Sequence, residues 1–337
     1  YDTSRYQGPL KDGAGVEWAM VDAEIIAELA KISEAGGRIV LLTPTLYSPT
    51  SEAVISGFQE RFPGTEWIRY DAVSRSGMLE ANKESFGLHA IPDYRFDKAD
   101  VIVSVGADFL GTWLSPVEYT KQYASRRNPD KEMTHLVQFE SNLSLTGSNA
   151  DKRIQIRPSD EAAILLNIYK QVVGAVEDRS VTAPASPVDL SEVCGMLLGA
   201  RGKSLLISAS NDKNIQLLVN EINKALGNIG ETILLDSYLR TYSGIDTEME
   251  NLVTDMQAGG VDALLMVDVN PAYNWVDREG FVGGLEKVGL TVSLSGSPDE
   301  SSELARYVCP DSHYLESWND AEPKRNKYSL MQPVLNP

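Results

Sequence analysis

Two pairs of polar turn residues are the first candidates for binding chemistry, because each pair directly follows a strongly apolar segment. Gly106 and Asp108 follow one such segment, and Asn270 and Pro271 follow the other. A glycine at such a turn lets the backbone approach a diphosphate, and an aspartate or asparagine can hydrogen-bond a ribose or a pterin amide. The same residue types favour any strand-to-helix turn. The turns by themselves are therefore compatible with a binding site and with a purely structural role.

Other residues with catalytic or metal-binding chemistry lack the spacing that such sites require. The sequence has no GxGxxG fingerprint, no GxxxxGK[ST] phosphate loop and no GxSxG elbow. His89, His135 and His313 lie in unrelated segments without metal-ligand spacing. His313 has neighbouring carboxylates and could act as an acid or base, but a hydrogen-bonded structural role is favoured.

The two cysteines, Cys194 and Cys309, are far apart and form no CxxC pair. They cannot by themselves hold an iron–sulfur cluster or a four-ligand zinc site. Two buried free thiols are favoured over a disulfide between them, which the sequence does not exclude.

The charge and hydropathy of the chain exclude several classes of partner. The 337 residues include 30 Lys and Arg against 48 Asp and Glu, which gives a net charge of −18. This excess of negative charge repels phosphate backbones and anionic lipid headgroups. No apolar stretch approaches the roughly 20 residues that a membrane-spanning helix needs. We therefore expect no nucleic-acid partner and no direct membrane insertion.

Short apolar segments alternate with segments of helical period along the chain. Several of the apolar segments are apolar on successive positions, as burial on both faces of a parallel sheet requires. Helical spacing is clearest at residues 18–32, 159–172 and 215–226. Strands are predicted at residues 38–44, 66–70, 101–105, 135–139, 153–157, 203–208, 232–236, 263–267, 290–294 and 307–309. This alternation predicts an α/β fold with two doubly wound, Rossmann-like lobes.

One segment interrupts the alternation of strands and helices. Residues 177–187 contain two prolines among small polar residues, which is typical of a linker. The sequence therefore predicts a first lobe at residues 1–180 and a second lobe at residues 181–337.

Longer segments that include the two turns resemble the molybdopterin oxidoreductases of the dimethyl sulfoxide reductase superfamily. Within that superfamily, the combination is most similar to the molybdopterin-like iron–sulfur subunits of bacterial alternative complex III, a quinol-oxidising respiratory complex. The segments that carry the resemblance are residues 1–10, 101–116, 138–151, 157–159, 223–228, 269–273, 311–323 and 328–333.

The resemblance implies a particular organisation of the chain. In the family's architecture, residues 1–35 pack with the second lobe, and residues from about 36 to 180 form an inserted domain. The chain is then part of a longer polypeptide, in which an export signal precedes Tyr1 and a ferredoxin-like domain with iron–sulfur clusters follows. The expected partners are haem-containing and integral-membrane subunits, on the periplasmic side of the cytoplasmic membrane.

The sequence also departs from the cofactor-binding members of the family. In those members the two turns hold two pterin guanine dinucleotides, and a Cys, selenocysteine, Ser or Asp ligates the metal in a segment that corresponds to residues 70–86. This chain offers Asp71, Ser74 and Ser76 there, but no Cys. A Gly-x-Asn-Pro turn of many members begins here with Asp268. An aspartate at that position would repel a diphosphate, and its Cβ would hold the backbone further away.

The leading hypothesis is a non-catalytic scaffold domain that supports electron transfer. Gly106, Asp108, Asn270 and Pro271 are then vestigial cofactor-turn positions, with no catalytic residue, metal or cofactor in this region. The alternative is an active molybdopterin-dependent oxidoreductase of the dimethyl sulfoxide or polysulfide reductase type, which binds molybdopterin guanine dinucleotide and places a serine of the 70–86 segment near the metal. A third class is a stand-alone small-molecule-binding module, whose melting temperature would rise with its ligand.

Overall fold

The computed structural model describes residues 4–178 and 180–336, in which short strands alternate with helices. The α/β class expected from the sequence is confirmed. The strands are β1 (Leu10–Lys11), β2 (Ala14–Gly15), β3 (Ile39–Thr43), β4 (Thr65–Arg69), β5 (Ile91–Tyr94), β6 (Val101–Val105), β7 (His135–Glu140), β8 (Lys152–Gln155), β9 (Ser204–Ser208), β10 (Ile233–Leu239), β11 (Ala263–Met266), β12 (Leu290–Ser293), β13 (Tyr307–Val308), β14 (Asn319–Lys324) and β15 (Lys327–Met331). The α-helices are α1 (Trp18–Glu34), α2 (Pro49–Arg61), α3 (Ser76–Phe86), α4 (Pro116–Ser125), α5 (Leu145–Ser148), α6 (Glu161–Glu177), α7 (Ser191–Gly199), α8 (Lys213–Ala225), α9 (Asp246–Gln257), α10 (Pro271–Asn274) and α11 (Arg278–Leu285). None of the helices in the described ranges is both long and apolar enough to span a bilayer.

The chain folds into two compact units. Unit 2 is Ser76–Leu239, and unit 1 contains the chain up to Arg75 and again from Arg240 onward. This division differs from the expected lobes at residues 1–180 and 181–337 and from an insertion beginning near residue 36.

Long-range strand pairing explains the difference in the boundary. Strand β9, which follows the predicted linker, pairs in parallel with β6, which precedes it. Within the linker, the carbonyl of Pro184 accepts a hydrogen bond of 2.8 Å from the Asn167 side chain of α6. Both ends of this segment therefore belong to unit 2, and its proline-rich composition marks an irregular connection inside one unit.

In unit 1, the described residues form a seven-stranded sheet in the order β2-β1-β13-β12-β11-β3-β4. Strands β13 to β4 run parallel to one another, and β1 and β2 are antiparallel additions at one edge. All five residues of β3 are buried. Val40 and Leu42 pack in the cluster that contains α9 and α11, and Ile39 and Leu41 pack in the cluster that contains α1. The run of successive apolar residues thus reflects helices on both faces of the sheet.

In unit 2, the parallel sheet has the order β8-β7-β6-β9, and β5 pairs with β10 as a separate antiparallel ladder. Helices α6, α7 and α8 contribute to one large apolar cluster over the parallel sheet. Helix α8 begins where Asp212 accepts hydrogen bonds from the backbone N–H groups of Asn214 and Ile215, at 2.7 and 3.2 Å. The chain turns away after α8 at Gly227, whose φ of +71° favours glycine.

Each parallel sheet has one place where the strand order reverses. In unit 1 this switch point lies between β3 and β11, and in unit 2 it lies between β6 and β9. Open α/β sheets bind ligands outside the carboxyl ends of the strands at such a point. The two turns singled out from the sequence follow β6 and β11, so each turn lies at one of these switch points.

Candidate functional site

The switch point of unit 1 holds a cavity of about 250 Å³. It lies beyond the carboxyl ends of β3, β4 and β11, where the three connecting loops meet. Its polar lining residues are Tyr70, Asp71, Tyr242, Asp268, Asn270 and Asn274. The cavity therefore contains two carboxylates, and these have very different surroundings.

Asp71 uses its carboxylate to hold the neighbouring loops together. Its Oδ1 accepts a bond of 2.9 Å from the backbone N–H of Thr45. Its Oδ2 accepts bonds from the Thr45 hydroxyl at 2.6 Å, from the Gly244 N–H at 2.9 Å and from the Ser243 N–H at 3.3 Å. Both oxygens of this candidate metal ligand are thus engaged by the chain itself.

The other two candidates in the 70–86 segment are separated by the division of the chain. Ser74 lies in unit 1 and is half-buried, whereas Ser76 is the first residue of α3 in unit 2 and is buried. The described residues contain no group of three or more His, Cys, Asp or Glu side chains arranged to hold a metal ion.

Asp268 lies at the start of the turn after β11 and adopts a left-handed backbone conformation, with φ of +50°. A glycine adopts this conformation without strain, whereas a residue with a Cβ is destabilised by roughly 1 kcal/mol. Among the described residues no group donates a hydrogen bond to its carboxylate, which lines the cavity. The surrounding protein partly desolvates this carboxylate and raises the pKa of Asp268.

The next residues of this turn are bonded within unit 1. The Asn270 side chain donates a bond of 2.7 Å to Glu300 Oε2, and its Oδ1 accepts bonds from the Ser301 hydroxyl at 2.8 Å and the Ser301 N–H at 3.2 Å. Pro271 is buried and occupies the first position of the short helix α10, where its missing N–H has no consequence. The Asn270 amide oxygen is thus engaged by Ser301, and one of the two N–H groups of its amide nitrogen is engaged by Glu300.

The switch point of unit 2 is built around Gly106, which follows β6 with φ of +69°. A Cβ added to Gly106 would lie 3.2 Å from Glu161 Oε1 and 3.7 Å from the Cβ of Ala209. The carboxylate of Glu161, the first residue of α6, therefore lies on the side of Gly106 where a larger residue would carry its Cβ. Burial raises the pKa of Glu161, and no described residue donates a hydrogen bond to its carboxylate.

Asp108, two residues further along, fixes a neighbouring turn of unit 2. Its Oδ1 accepts bonds from the Thr146 N–H at 2.9 Å and from the Thr146 hydroxyl at 2.8 Å, at the start of α5. Its backbone carbonyl accepts bonds from the N–H groups of Gly111, Thr112 and Trp113. The structure thus brings Gly106 and Asp108 together in unit 2, and Asn270 and Pro271 together in unit 1.

Two contributors to these sites lie outside the turns that the sequence indicated. Glu161 is recognisable in the sequence only as a carboxylate in the first turn of a helix, and nothing in the sequence places it beside Gly106. Thr45, which binds Asp71, is one of many polar residues that follow a predicted strand. Remote contacts of this kind have no local sequence signal.

The histidine and cysteine candidates are not arranged for metal binding or for a disulfide. His313 is exposed, and its Nδ1 accepts a bond of 3.2 Å from the Leu315 N–H in a short 3₁₀ turn. Cys194 and Cys309 are free thiols that belong to different units. Burial raises the pKa of each to about 11.

Two solved structures have folds similar to that of this chain. No family model matches the chain, and no curated protein sequence matches it. Acetylene hydratase from Pelobacter acetylenicus, an enzyme of molybdopterin type, superposes with a TM-score of 0.76 at 14% identity over 99% of this chain. This chain spans only 59% of the length of acetylene hydratase.

A second solved structure with this fold is the formyltransferase/hydrolase complex (FhcABCD) from Methylorubrum extorquens, in complex with methylofuran. One of its chains superposes with a TM-score of 0.63 at 14% identity, over 97% of this chain and 93% of that one. At such low identity, both similarities show the fold alone.

The residues at the two switch points do not fit a pterin guanine dinucleotide. A diphosphate requires free backbone N–H groups or positive charge at the turn. In unit 2 the Glu161 carboxylate lies beside Gly106, whose own N–H donates to the Phe139 carbonyl, and in unit 1 an aspartate replaces the expected glycine at residue 268. The structure therefore gives no reason to assign a reaction step to this cofactor.

Proposed function

We propose that the chain is a non-catalytic, molybdopterin-like scaffold domain of the iron–sulfur subunit of a quinol-oxidising respiratory complex, alternative complex III. In this proposal it supports electron transfer by positioning neighbouring redox modules, and it binds no cofactor itself. The subunit would lie on the periplasmic side of the cytoplasmic membrane, with haem-containing and integral-membrane subunits as partners. Its iron–sulfur clusters would belong to a part of the polypeptide beyond this sequence.

The observation that carries the proposal is the state of the polar groups at the family's turns. Asp108 and Asn270 are bonded to side chains of their own unit. Each switch point also holds a carboxylate, that of Asp268 in unit 1 and that of Glu161 in unit 2. No group among the described residues donates a hydrogen bond to either of them. These features suit a framework whose turns are kept for folding, since a site for an anionic cofactor would keep donors free.

Metal and pterin analysis of the full-length subunit, purified within its complex, tests the proposal. We expect iron and haem in the complex and molybdenum far below one atom per subunit, with no fluorescent pterin after oxidation. A molybdopterin enzyme purified from the same cells is the positive control for cofactor supply. Stoichiometric molybdenum in the subunit would overturn the proposal and favour the active oxidoreductase.

A second experiment separates a scaffold from a catalytic site by activity. Asp268→Asn and Glu161→Gln remove the two carboxylate charges without changing side-chain shape, so a scaffold should retain full quinol oxidation by the complex. The alternative enzyme predicts instead that Ser74→Ala combined with Ser76→Ala abolishes turnover while the complex remains assembled. Loss of activity in the serine variant with intact assembly would contradict the scaffold.

A further inference from the structure

Strand β15 leaves one side of a β-hairpin open. It pairs with β14 in an antiparallel ladder in which Leu330 faces Asp320 and Ser329 faces Ala321. On its other side β15 has no strand partner among the described residues. An open edge presents unpaired N–H and C=O groups, and natural proteins usually shorten, charge or cover such an edge.

The side chains of β15 are unusually apolar for an open edge. Leu330 is 82% exposed and Tyr328 is 66% exposed. These two residues alternate along the strand and therefore share one face of the hairpin. The Tyr328 hydroxyl bonds the Glu322 carboxylate, which raises the pKa of Tyr328 and fixes the ring across the hairpin. The exposed surface is thus an ordered apolar strip beside free backbone groups.

A groove of about 450 Å³ runs beside this strip within unit 1. The loop after β3 forms one wall with Leu46 and Tyr47, and the hairpin forms the other with Ala321, Leu330 and Met331. Leu330 and Met331 therefore border the groove and also belong to the strand whose edge is open.

The charges around the edge select the kind of strand that it can accept. Lys324 and Lys327 lie directly opposite each other in the hairpin, and Arg325 lies in the turn between them. Lys327 is exposed, so a carboxylate that comes near its ammonium group is attracted to it. The carboxylates of β14 have partners other than Lys327, because Asp320 accepts a bond from the Thr50 hydroxyl and Glu322 pairs with Arg240. Lys327 has no ion pair within the described ranges.

We propose that the free edge of β15 is a docking site for an extended segment of another polypeptide. The segment adds a strand to the hairpin, carries apolar residues at alternate positions and places a carboxylate beside Lys327. A second copy of this chain is a poorer occupant, because two copies of net charge −18 repel each other and present identical basic turns. The docking site is independent of the function proposed for the fold.

A synthetic peptide with these properties tests the proposal on the intact chain. The probe is a fluorescein-labelled peptide of alternating valine and threonine between terminal aspartates, and fluorescence anisotropy measures its binding. We expect saturable binding in the micromolar to submillimolar range, as is usual when backbone pairing supplies most of the affinity. The same peptide with N-methylated amides, which cannot pair with an edge, should not bind.

Three variants locate the binding site. Leu330→Glu and Lys327→Glu should each weaken binding by about tenfold or more, since one removes an apolar contact and the other reverses the favourable charge. Val276→Glu makes the same apolar-to-acidic change at a position that is 91% exposed and outside the hairpin, and it should leave binding unchanged. All three positions are exposed, so the melting temperature should change little.

Several results would overturn the docking site. They are no saturable binding up to about 1 mM, a value near the weakest specific affinities, equal binding of the N-methylated peptide, or equal weakening by Leu330→Glu and Val276→Glu. A dimer in sedimentation equilibrium that Leu330→Glu abolishes would assign the edge to a second copy and would also overturn the proposal.

Discussion

Replacing Asp71 with asparagine tests whether the loops at the unit 1 cavity are held by the protein itself. The change keeps the shape of the side chain but exchanges one acceptor oxygen for an NH₂ donor. Oδ1 accepts from the Thr45 N–H, and Oδ2 accepts from the Thr45 hydroxyl and the Gly244 N–H. Whichever way the amide is turned, at least one backbone N–H then faces another donor.

The geometry sets the size of the effect. A hydrogen bond to a charged acceptor contributes about 1.5–3 kcal/mol, and a buried donor left without a partner costs about 1–3 kcal/mol. Gly244 is buried, and a Cβ built on it would lie 2.9 Å from Asp71 Oδ2, so this loop has little room to move. One bond is lost and another loses its charge, and these contributions overlap. We therefore expect Asp71→Asn to lower the free energy of unfolding of unit 1 by about 2–4 kcal/mol.

Urea unfolding followed by tryptophan fluorescence measures this loss, and hydrogen exchange at residues 45 and 244 measures the local opening. Asp22→Asn is the matched control, because Asp22 lies on the exposed side of α1 and should change stability by less than about 0.5 kcal/mol. Equal stability of the two variants would refute the structural role. A more stable Asp71→Asn variant would indicate a carboxylate that is retained for a ligand at the expense of stability.

Three further predictions address pH dependence, thiol reactivity and packing. A hydrogen bond from Arg5 lowers the pKa of Glu316 from 4.5 to about 2, so the stability from this pair is present above pH 4.5 and is lost as the pH falls towards 2. The melting-temperature difference between wild type and Glu316→Gln should shrink over that range, and a constant difference would contradict the pairing. Burial raises the pKa of Cys194 from 9.0 to about 11, so iodoacetamide should alkylate it about a hundredfold more slowly at pH 8 than in the unfolded chain, and equal rates would show that the thiol is accessible. In urea unfolding, Gly77→Ala should destabilise the chain by about 2 kcal/mol or more, because its Cβ would overlap backbone atoms of the loop after β9. The control Gly57→Ala has open space around its Cβ and should stabilise α2 by about 0.5–1 kcal/mol. Similar effects of the two substitutions would refute the close approach of the backbone at Gly77.

The buried strands could be predicted from the sequence because their signal is local. Residues 39–43 are apolar on successive positions, and the structure places them between two helical layers. By contrast, β14 contains Asn, Asp, Glu, Pro and Lys and has little intrinsic preference for a strand. Its conformation comes from pairing with β15 rather than from its own composition, and the hairpin was therefore not predicted.

The boundaries of the units could not be found in the same way. The chain passes from one unit to the other at Arg75 and at Arg240, and the segments around these residues are not rich in proline or glycine. The decisive interaction is the parallel pairing of β6 with β9, two strands separated by about one hundred residues. Only residues 177–187 have a local linker signal, and they lie inside unit 2.

The sequence indicated where along the chain the candidate sites lie, but it did not indicate which groups surround them. Gly106 and Asp268 could be placed at strand ends, because the apolar segments before them indicate where the strands stop. The positive φ of Asp268 explains why a glycine would suit that position, yet a single sequence does not reveal backbone conformation. The contact of Glu161 with Gly106 joins segments that are remote in sequence, and it decides what the turn can bind.

The negative charges of Glu161 and Asp268 determine how strongly each switch point can bind an anion. A unit negative charge about 4 Å from an ionised carboxylate is destabilised by about 4 kcal/mol at an effective dielectric constant of 20, which is nearly a thousandfold in affinity. Neutralising Glu161 or Asp268 by protonation would remove this penalty, and the raised pKa of each residue makes protonation easier than for a carboxylate with its ordinary pKa. An anion that binds either switch point should therefore bind more tightly as the pH falls, and Glu161→Gln or Asp268→Asn should remove that pH dependence. A neutral or cationic group meets no such barrier, so the charge at the switch points selects against a diphosphate.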